Sequence, residues 1–424
     1  MQTSLAPEFA ETAKGKEAEA IIRKCVHCGF CNATCPTYQL LGDELDGPRG
    51  RIYLIKQLLE GEPANDQMTL HLDRCLTCRA CETTCPSGVE YGKLLAIGRA
   101  ALHTANQRSL VDQLRRIVVA KVVGNAKVFD LLLRFGRAMR PILPAALKSK
   151  VPAAAPISST PSRATHRPAW PAPRHGRTMV ALAGCVQGSL SPMTNLAAAV
   201  VLDKLGITLI EAAGAGCCGA LDLHTTNENR AKKCAEALID KWWPYLAQGV
   251  ERFVMTASGC GVTIMAYPHL FQDEPDYLEK AKAISAKTVD LCEVIDNEMS
   301  NGMDQEIAPA FRVQDSSQKV AFHAPCTLQH GLLQRGQKIS GTVEKILQRV
   351  GYSLCNVKDA HLCCGSAGTY SIFQPEISSQ LRQAKLRALY NDNPDIVCTA
   401  NVGCQVHLNM NGHTRVQHWV ELLL

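Results

Sequence analysis

Twenty cysteines punctuate this 424-residue chain, and eight of them fall into two runs of one design. Cys25-Val-His-Cys28-Gly-Phe-Cys31-Asn-Ala-Thr-Cys35-Pro36 and Cys75-Leu-Thr-Cys78-Arg-Ala-Cys81-Glu-Thr-Thr-Cys85-Pro86 both read C-x2-C-x2-C-x3-C-P. Two residues between thiolates let one short loop wrap three corners of an iron–sulfur cubane. The fourth cysteine is displaced along the chain, its proline turns the backbone away, and in two-cluster proteins it reaches the other cluster. The spacing therefore predicts two [4Fe-4S] clusters, one on Cys25, Cys28, Cys31 and Cys85, the other on Cys75, Cys78, Cys81 and Cys35. C-x2-C pairs also suit zinc, but two four-cysteine runs, each closed by proline, favour the cubane. His27 and Arg79 lie inside the loops, either tuning potential by charge or hydrogen bonding to sulfur or as plain solvated positions.

A second set of eight recurs at a period of about 140–150 positions: Cys185, Cys217, Cys218 and Cys260, then Cys326, Cys363, Cys364 and Cys404. Each copy supplies an early cysteine, an adjacent pair followed by glycine, and a late cysteine. Adjacent cysteines in a glycine-flanked loop present two thiolates to one centre more readily than they form a disulfide. The two copies are thus candidate third and fourth sites, for an iron–sulfur cluster or zinc. The plainer reading is small buried hydrophobes, against which the duplication argues. Cys234, Cys292, Cys355 and Cys398 have no partner in the other copy and fit the plainer reading. His323 and His330 flank Cys326 without counterparts near Cys185, either as ligands or proton relays or, more simply, as hydrogen-bonded histidines. Gly214-Ala-Gly216-Cys-Cys-Gly219 matches a dinucleotide fingerprint formally, but its two cysteines, and a second copy without the leading glycines, set it aside.

The elements that must position these sulfurs follow a repeated order. In the first copy MVALAGC reads as a buried strand, TNLAAAVVLDKLG as a helix, ITLIEA as a strand, then GCCG, a helix, and RFVMTASGC. The second copy repeats it with KVAFHAPC, SGTVEKILQRVG, YSLCNV, LCCG, a helix and DIVCTANVGC. Short apolar strands alternating with amphipathic helices imply α/β units with largely parallel sheets, sulfurs at strand ends. Between the first two cysteine runs RGRIYLIKQLLEG is helical, too long an insertion for a compact β-type fold. The expected fold class is α+β multidomain: a two-cluster helical domain over 1–103, a basic helical docking segment over 104–150, a Pro/Ala-rich linker over 151–178, and repeats over 179–312 and 313–424.

Composition narrows the function classes. The 46% hydrophobic content excludes disorder throughout. The opening MQTSLAPEFAETAKGKEAEA lacks an apolar signal core, so the expectation is an intracellular chain whose thiols are kept for metal rather than disulfides. No apolar stretch reaches the roughly 18–20 residues of a membrane span. The net charge of +6 is uneven: residues 104–150 carry ten Lys/Arg against two acids and 151–178 four Arg and no acid, leaving the remainder acidic. The basic stretch lacks any reader motif for nucleic acid, so none is expected as a partner. It suits an interfacial helix on anionic lipid or helices packed on this or another subunit. There is no convincing nicotinamide or flavin site, no P-loop and no catalytic triad, so the substrate is oxidised on a partner.

Several segments carry a family resemblance. The first domain resembles the α-helical ferredoxin domain of succinate dehydrogenase iron–sulfur proteins. The repeats resemble the cysteine-rich CCG domain of heterodisulfide reductase subunits, whose fuller form ends in C-x-x-C where this chain has Ala257 and Asn401. From residue 25 to the C-terminus, CVHCGFCNATCPTYQLLGDELDGPRGRIYLIKQLLEG, HLDRCLTCRACETTCPSG, SGCG, HAPCTLQH, HLCCGSAGTY and TANVGCQVHL together resemble the iron–sulfur subunits of bacterial glycolate oxidase, or glycolate dehydrogenase. The resemblance implies an electron-relay subunit that takes electrons from FAD-containing subunits oxidising glycolate to glyoxylate and passes them to a quinone-type acceptor. With the basic amphipathic stretch and an acceptor that resides in lipid, the expected location is cytoplasmic, peripheral on the cytoplasmic face of the inner membrane. The same cysteine frame serves lactate-utilisation and anaerobic glycerol-3-phosphate dehydrogenase subunits, and a zinc or thiol scaffold is the reading from another class. Residues 104–178 match the family least well.

Overall fold

The computed structural model describes residues 1–106, 108–144, 151–152, 169–300, 311, 317–331, 339–410 and 414–424. Most of the expected linker, 153–168, lies outside the described residues. Its last two residues, Arg177 and Thr178, belong to the first strand instead.

The N-terminal region is helical. Helices α1 (Ala13–Lys24), α2 (Pro48–Leu59), α3 (Asp66–Asp73) and α4 (Tyr91–Ala105) surround the cysteine loops. Their starts follow local chemistry: Thr12 accepts from Gly15 N, Asn65 from Met68 N, and Pro48 fills the first turn of α2, where its missing N–H costs nothing. Ile21 and Ile22, then Ile55, Leu58 and Leu59, then Leu94 and Leu95 recur at helical spacing and close one apolar core. Gly98 sets the approach of α4 to α2, because a Cβ there would lie 2.6 Å from Ile55 Cγ1.

Helices α5 (Leu110–Val123) and α6 (Ala126–Met139) form a hairpin on the outside. Part of its basic face turns inward, while Lys121, Lys127 and Arg134 stay exposed. Arg108 and Arg116 pair with Asp73 at 2.6 and 3.0 Å, and the Arg115 and Arg116 guanidinia sit over the Phe373 ring. The apolar stripe Leu110, Val111, Leu114, Ile117 and Val118 faces solvent, as does Leu131, Leu132 and Phe135 on α6.

The rest is two α/β copies, each with a four-stranded parallel sheet. The first holds β1 (Arg177–Ala181), β2 (Ile207–Glu211), β3 (Phe253–Met255) and β4 (Thr288–Asp290), in the order β2-β1-β3-β4. The second repeats it as β6-β5-β7-β8 with β5 (Lys319–His323), β6 (Ser353–Leu354), β7 (Ile396–Thr399) and β8 (Val416–His418). Helices α7 (Met193–Lys204), α8 (Glu228–Ala247), α9 (Ser258–Met265), α10 (Pro275–Lys287) and α11 (Leu291–Ser300) serve the first copy. α12 (Thr342–Arg349), α13 (Pro375–Tyr390) and α14 (Val402–Leu408) serve the second. The chain leaves β1 toward β2 and then crosses back to β3, so the order reverses between β1 and β3, where open α/β sheets form their crevice. Strands β4 and β8 were not foreseen, and YSLCNV contributes only two residues of strand.

The copies share one core: Ala197, Val201 and Leu202 of α7 pack with Phe322, Val343, Trp419 and Val420 of the second copy. The terminal turn Trp419–Leu423 lies on α7. Across the seam Ser258 and Thr327 hydroxyls meet at 2.7 Å, and His418 Nε2 lies 2.9 Å from Thr256 O.

Candidate metal centres

In both cysteine runs the loop winds through left-handed residues: His27 (φ 57°) and Gly29 (φ 84°) in the first, Thr77 (φ 54°) and Arg79 (φ 61°) in the second. The alternation turns successive sulfurs inward. At Gly29 a side chain would also meet Arg49 Nη1 at 2.8 Å. Cys25, Cys28, Cys31 and Cys85 line one cavity, with Pro48, Ile52, Pro86 and Tyr91, and Cys81 borders it as well. Burial, with Cys25, Cys85 and Cys28 alongside, pushes the Cys31 thiol up to about 11. Cys85 thus belongs with the first run in space. His27 is held below the ordinary imidazole range by partial burial and by Arg49.

At the second site it is Cys35 that lies among the sulfurs of the other run. Burial and then the neighbouring sulfurs of Cys326, Cys35 and Cys75 raise Cys78, and burial with Cys78, Cys75 and Cys35 raises Cys81. Thiols this crowded cannot ionise together without cationic charge among them, and iron supplies that charge. In both sets the donors, four cysteines each, fit a [4Fe-4S] cluster.

Helix α2 places Arg51 beneath the second site. Its Nη1 lies 3.9 Å from Cys35 Sγ and 3.1 Å from Thr37 Oγ1, and Nε donates to His71 O at 2.7 Å. Asp46, wholly buried, binds Arg51 at 3.3 Å, Arg74 at 2.8 Å and His71 Nδ1 at 3.0 Å. Asp46, His71 and Asp43 approach one another closely enough for a cation, but two arginines already neutralise Asp46. The Tyr91 hydroxyl, from the first turn of α4, donates to Cys75 Sγ at 3.6 Å. A buried guanidinium and a hydroxyl directed at its sulfurs favour the reduced, more negative state of the second cluster. None of Asp46, Arg51 and Tyr91 was singled out from the sequence. The first two lie in LGDELDGPRGRIYLIKQ, a segment that also brings Pro48, Arg49 and Ile52 to the first site, so it supports both. Arg79, by contrast, turns away from the sulfurs toward Gly92 of α4, with Nη1 buried and unpartnered among the described residues.

In the first copy Cys185, Cys217, Cys218 and Cys260 gather at the crevice beyond β1 and β3. Cys217 is held far above the thiol range by hydrogen bonds with Cys185, Cys218 and Cys234 and by burial. Cys218 is shifted down by its bonds with Cys217 and Cys260. Cys234 of α8 therefore corrects the sequence reading: it is a fifth sulfur at this site, also 3.7 Å from Asp222 Oδ2. In the second copy Cys326 and Cys363 sulfurs stand 3.9 Å apart, and Cys363, Cys364 and Cys404 continue the series by hydrogen bonds. Lys385 of α13, buried, bonds Asp359 O at 2.8 Å and feels the sulfurs of Cys364, Cys363 and Cys326. The glycine of each pair is required by packing: Gly219 (φ 84°) and Gly365 (φ 89°) would bring a Cβ within 2.8 Å of Ala231 O and Ser378 O. It lets the two-sulfur loop press on the next helix, and is no phosphate-binding turn.

The two histidines differ. His330 contacts Thr83 Oγ1 at 3.2 Å and His361 O at 3.3 Å, the simple hydrogen-bonded reading. His323 is buried, held neutral by burial and by nearby Lys385 and His407, and its Nε2 has no partner among the described residues. Cys292 and Cys398 lie in the shared apolar core, as expected. Cys355 is half-buried beside Asp392 O at 3.9 Å.

The second copy also abuts the helical domain. Cys78 and Cys326 pack against one apolar cluster of Leu76, Cys363, Tyr370, Ile377 and Leu381, and Tyr370 Oη donates to Arg74 O at 3.0 Å.

Comparison with known proteins agrees with this architecture. Residues 21–89 match the 4Fe-4S dicluster domain, and 179–265 and 320–409 each match the cysteine-rich domain. The chain is 46% identical over 423 residues to the glycolate oxidase iron-sulfur subunit of Escherichia coli K12, covering 100% of this chain and 98% of the relative. It is 29% identical to the probable glycolate oxidase iron-sulfur subunit of Bacillus subtilis, over 97% of this chain and 95% of the relative. Lactate utilization protein A of Bacillus subtilis is 26% identical over 54% of this chain and 92% of its own length.

Proposed function

The chain belongs to the family of glycolate oxidase iron–sulfur subunits and is the electron-relay subunit of an oxidoreductase, and we propose that its electrons come from an FAD-containing partner subunit in which glycolate becomes glyoxylate and leave to a quinone-type acceptor. The observation that carries this reading is the unequal accessibility of the two sulfur sets. Cys28 is exposed, with Val26 (66% exposed) and Phe30 (60%) making an apolar rim beside it. In the second set Cys35 and Cys81 are buried, Cys75 and Cys78 half-buried and none is exposed, whereas in the first only Cys25 is buried. An exposed apolar rim at the first site suits a docking partner that donates there. When bound, the clusters take up and release single electrons. The chain's own residues hold the sulfurs at fixed positions, shield Cys35 and Cys81 of the second set from water, and offset its negative charge with Arg51.

We also place the subunit peripherally on the cytoplasmic face of the inner membrane. Among the described residues no helix is long and apolar enough to cross a membrane. The support is the outward apolar stripe of α5 and α6, flanked by Lys121, Lys127 and Arg134, a pattern suited to shallow insertion at anionic lipid. A quinone acceptor resides in lipid, which gives such contact a use.

The test is anaerobic electron paramagnetic resonance on the complex isolated with its native partners, before and after glycolate, lactate or glycerol-3-phosphate. Reduced-cluster signals from glycolate alone support the assignment. Signals with dithionite but with none of the three substrates overturn the donor.

A further inference from the structure

The two cysteine-rich copies are built on one plan but differ at one position beside each metal-binding crevice. Because the pair glycines Gly219 and Gly365 meet Ala231 and Ser378 in the same way, α8 and α13 can be superposed through these contacts. Cys234 then corresponds to Leu381, an apolar residue against Cys363. Counting back from Cys185 and Cys326, His323 corresponds to Leu182, a core residue of the first copy. Each copy therefore adds one donor to the shared four sulfurs, from a different element: a thiol from a helix in the first, an imidazole from a strand end in the second.

We propose that the second copy holds a transition-metal centre in which His323 supplies a nitrogen ligand alongside Cys364 and Cys404, with Cys326 and Cys363 completing the donor set. A His323 ring nitrogen and the sulfurs of Cys364 and Cys404 all lie within 4.8 Å of one another, and all three residues are buried. The imidazole is 2% exposed and its Nε2 has no partner among the described residues, an expensive arrangement for a buried polar atom unless something else binds there. Cys326 Sγ, 3.9 Å from Cys363 Sγ, borders the same crevice. Borderline-soft metals accept this mixture of thiolate and imidazole, as the iron of a cluster that uses all five donors or as a single zinc ion held by four of them, His323 included. Replacing a thiolate by a neutral imidazole leaves the centre less negative, which raises the potential of an iron–sulfur centre. Cys326 and Cys363 also adjoin Cys78, so this centre borders the second ferredoxin-type site. The metal site stands on its side chains alone; its place as the next station of the relay rests on the electron-transfer reading above.

The experiment compares the full chain, purified anaerobically with its native partners, with His323→Leu and His323→Cys. Leucine is what the first copy carries at this position, so the backbone there tolerates it, and cysteine keeps a donor. Iron, zinc and acid-labile sulfide are quantified, and X-ray absorption at the edge of any metal beyond the two ferredoxin-type clusters reports its ligands. The expected result is extra metal in the wild type with a nitrogen neighbour, loss of that metal in His323→Leu, and its retention without the nitrogen signature in His323→Cys. Extra iron with sulfide identifies a cluster, and zinc without sulfide a single ion. No metal beyond the two clusters, or a nitrogen signature unchanged in both variants, overturns the proposal. Neither readout uses glycolate, so a wrong electron donor leaves both unchanged.

Discussion

Replacing Tyr91 with phenylalanine removes one oxygen and little else. The ring is buried in the core between α2 and α4, and its hydroxyl donates to Cys75 Sγ at 3.6 Å. A hydrogen bond of this kind contributes about 0.5–1.5 kcal/mol net, and it favours the reduced cluster because that state puts more negative charge on sulfur. For one electron, a tenfold change in equilibrium is about 59 mV and about 1.4 kcal/mol, so the full bond converts to about 20–60 mV. Part of the bond persists in the oxidised state, so Tyr91→Phe lowers the potential of the second cluster by at most about 60 mV. An anaerobic redox titration followed by electron paramagnetic resonance measures it. The first cluster should move less, since the hydroxyl is aimed at Cys75. An upward shift of the second cluster, or no shift outside titration error, refutes the reasoning.

Crossed ligation predicts that Cys85→Ala abolishes the same cluster signal as Cys28→Ala, while Cys35→Ala abolishes that of Cys78→Ala; grouping by run in the spectra would contradict it. Burial raises Asp290 from 3.8 to about 7, so the folded form keeps its proton to higher pH than the unfolded chain. Its share of stability is whole below about pH 4 and is lost as pH climbs through 7. Asp290→Asn, still able to accept from Cys292 N, should therefore raise the melting temperature above pH 7 and leave it unchanged in acid, read from thermal melts across pH 4–8. Leu131→Glu with Phe135→Glu, at positions 69% and 64% exposed, should abolish flotation with anionic lipid vesicles while changing stability by about 0.5 kcal/mol or less per site; retained flotation would count against membrane contact.

Where chemistry dictates spacing, the sequence was readable. The ferredoxin-type sulfurs must lie two and three residues apart to reach one cubane, and the duplicated sulfurs sit after strands that a buried apolar run announces. What escaped did so for physical reasons. Strands β4 and β8 have three residues each, too few for any period to register. Cys234 was set aside because only one copy has it; its place on α8, facing the loop of Cys217, is a tertiary fact. Arg51 sits on the buried face of an otherwise ordinary amphipathic helix, and only the fold reveals Asp46 and Cys35 around it. The basic stretch was recognisable as helical and amphipathic, but which face turns inward depended on Asp73 and Phe373, both distant in sequence.

The terminal turn Trp419–Leu423 covers α7, an element of the first copy made long before it. During synthesis, therefore, the apolar side of α7 stays uncovered on the ribosome until the whole second copy has emerged. The first copy completes its core only with residues that the second copy supplies. Without Trp419–Leu423 the apolar side of α7 and the facing core of the second copy would be uncovered together.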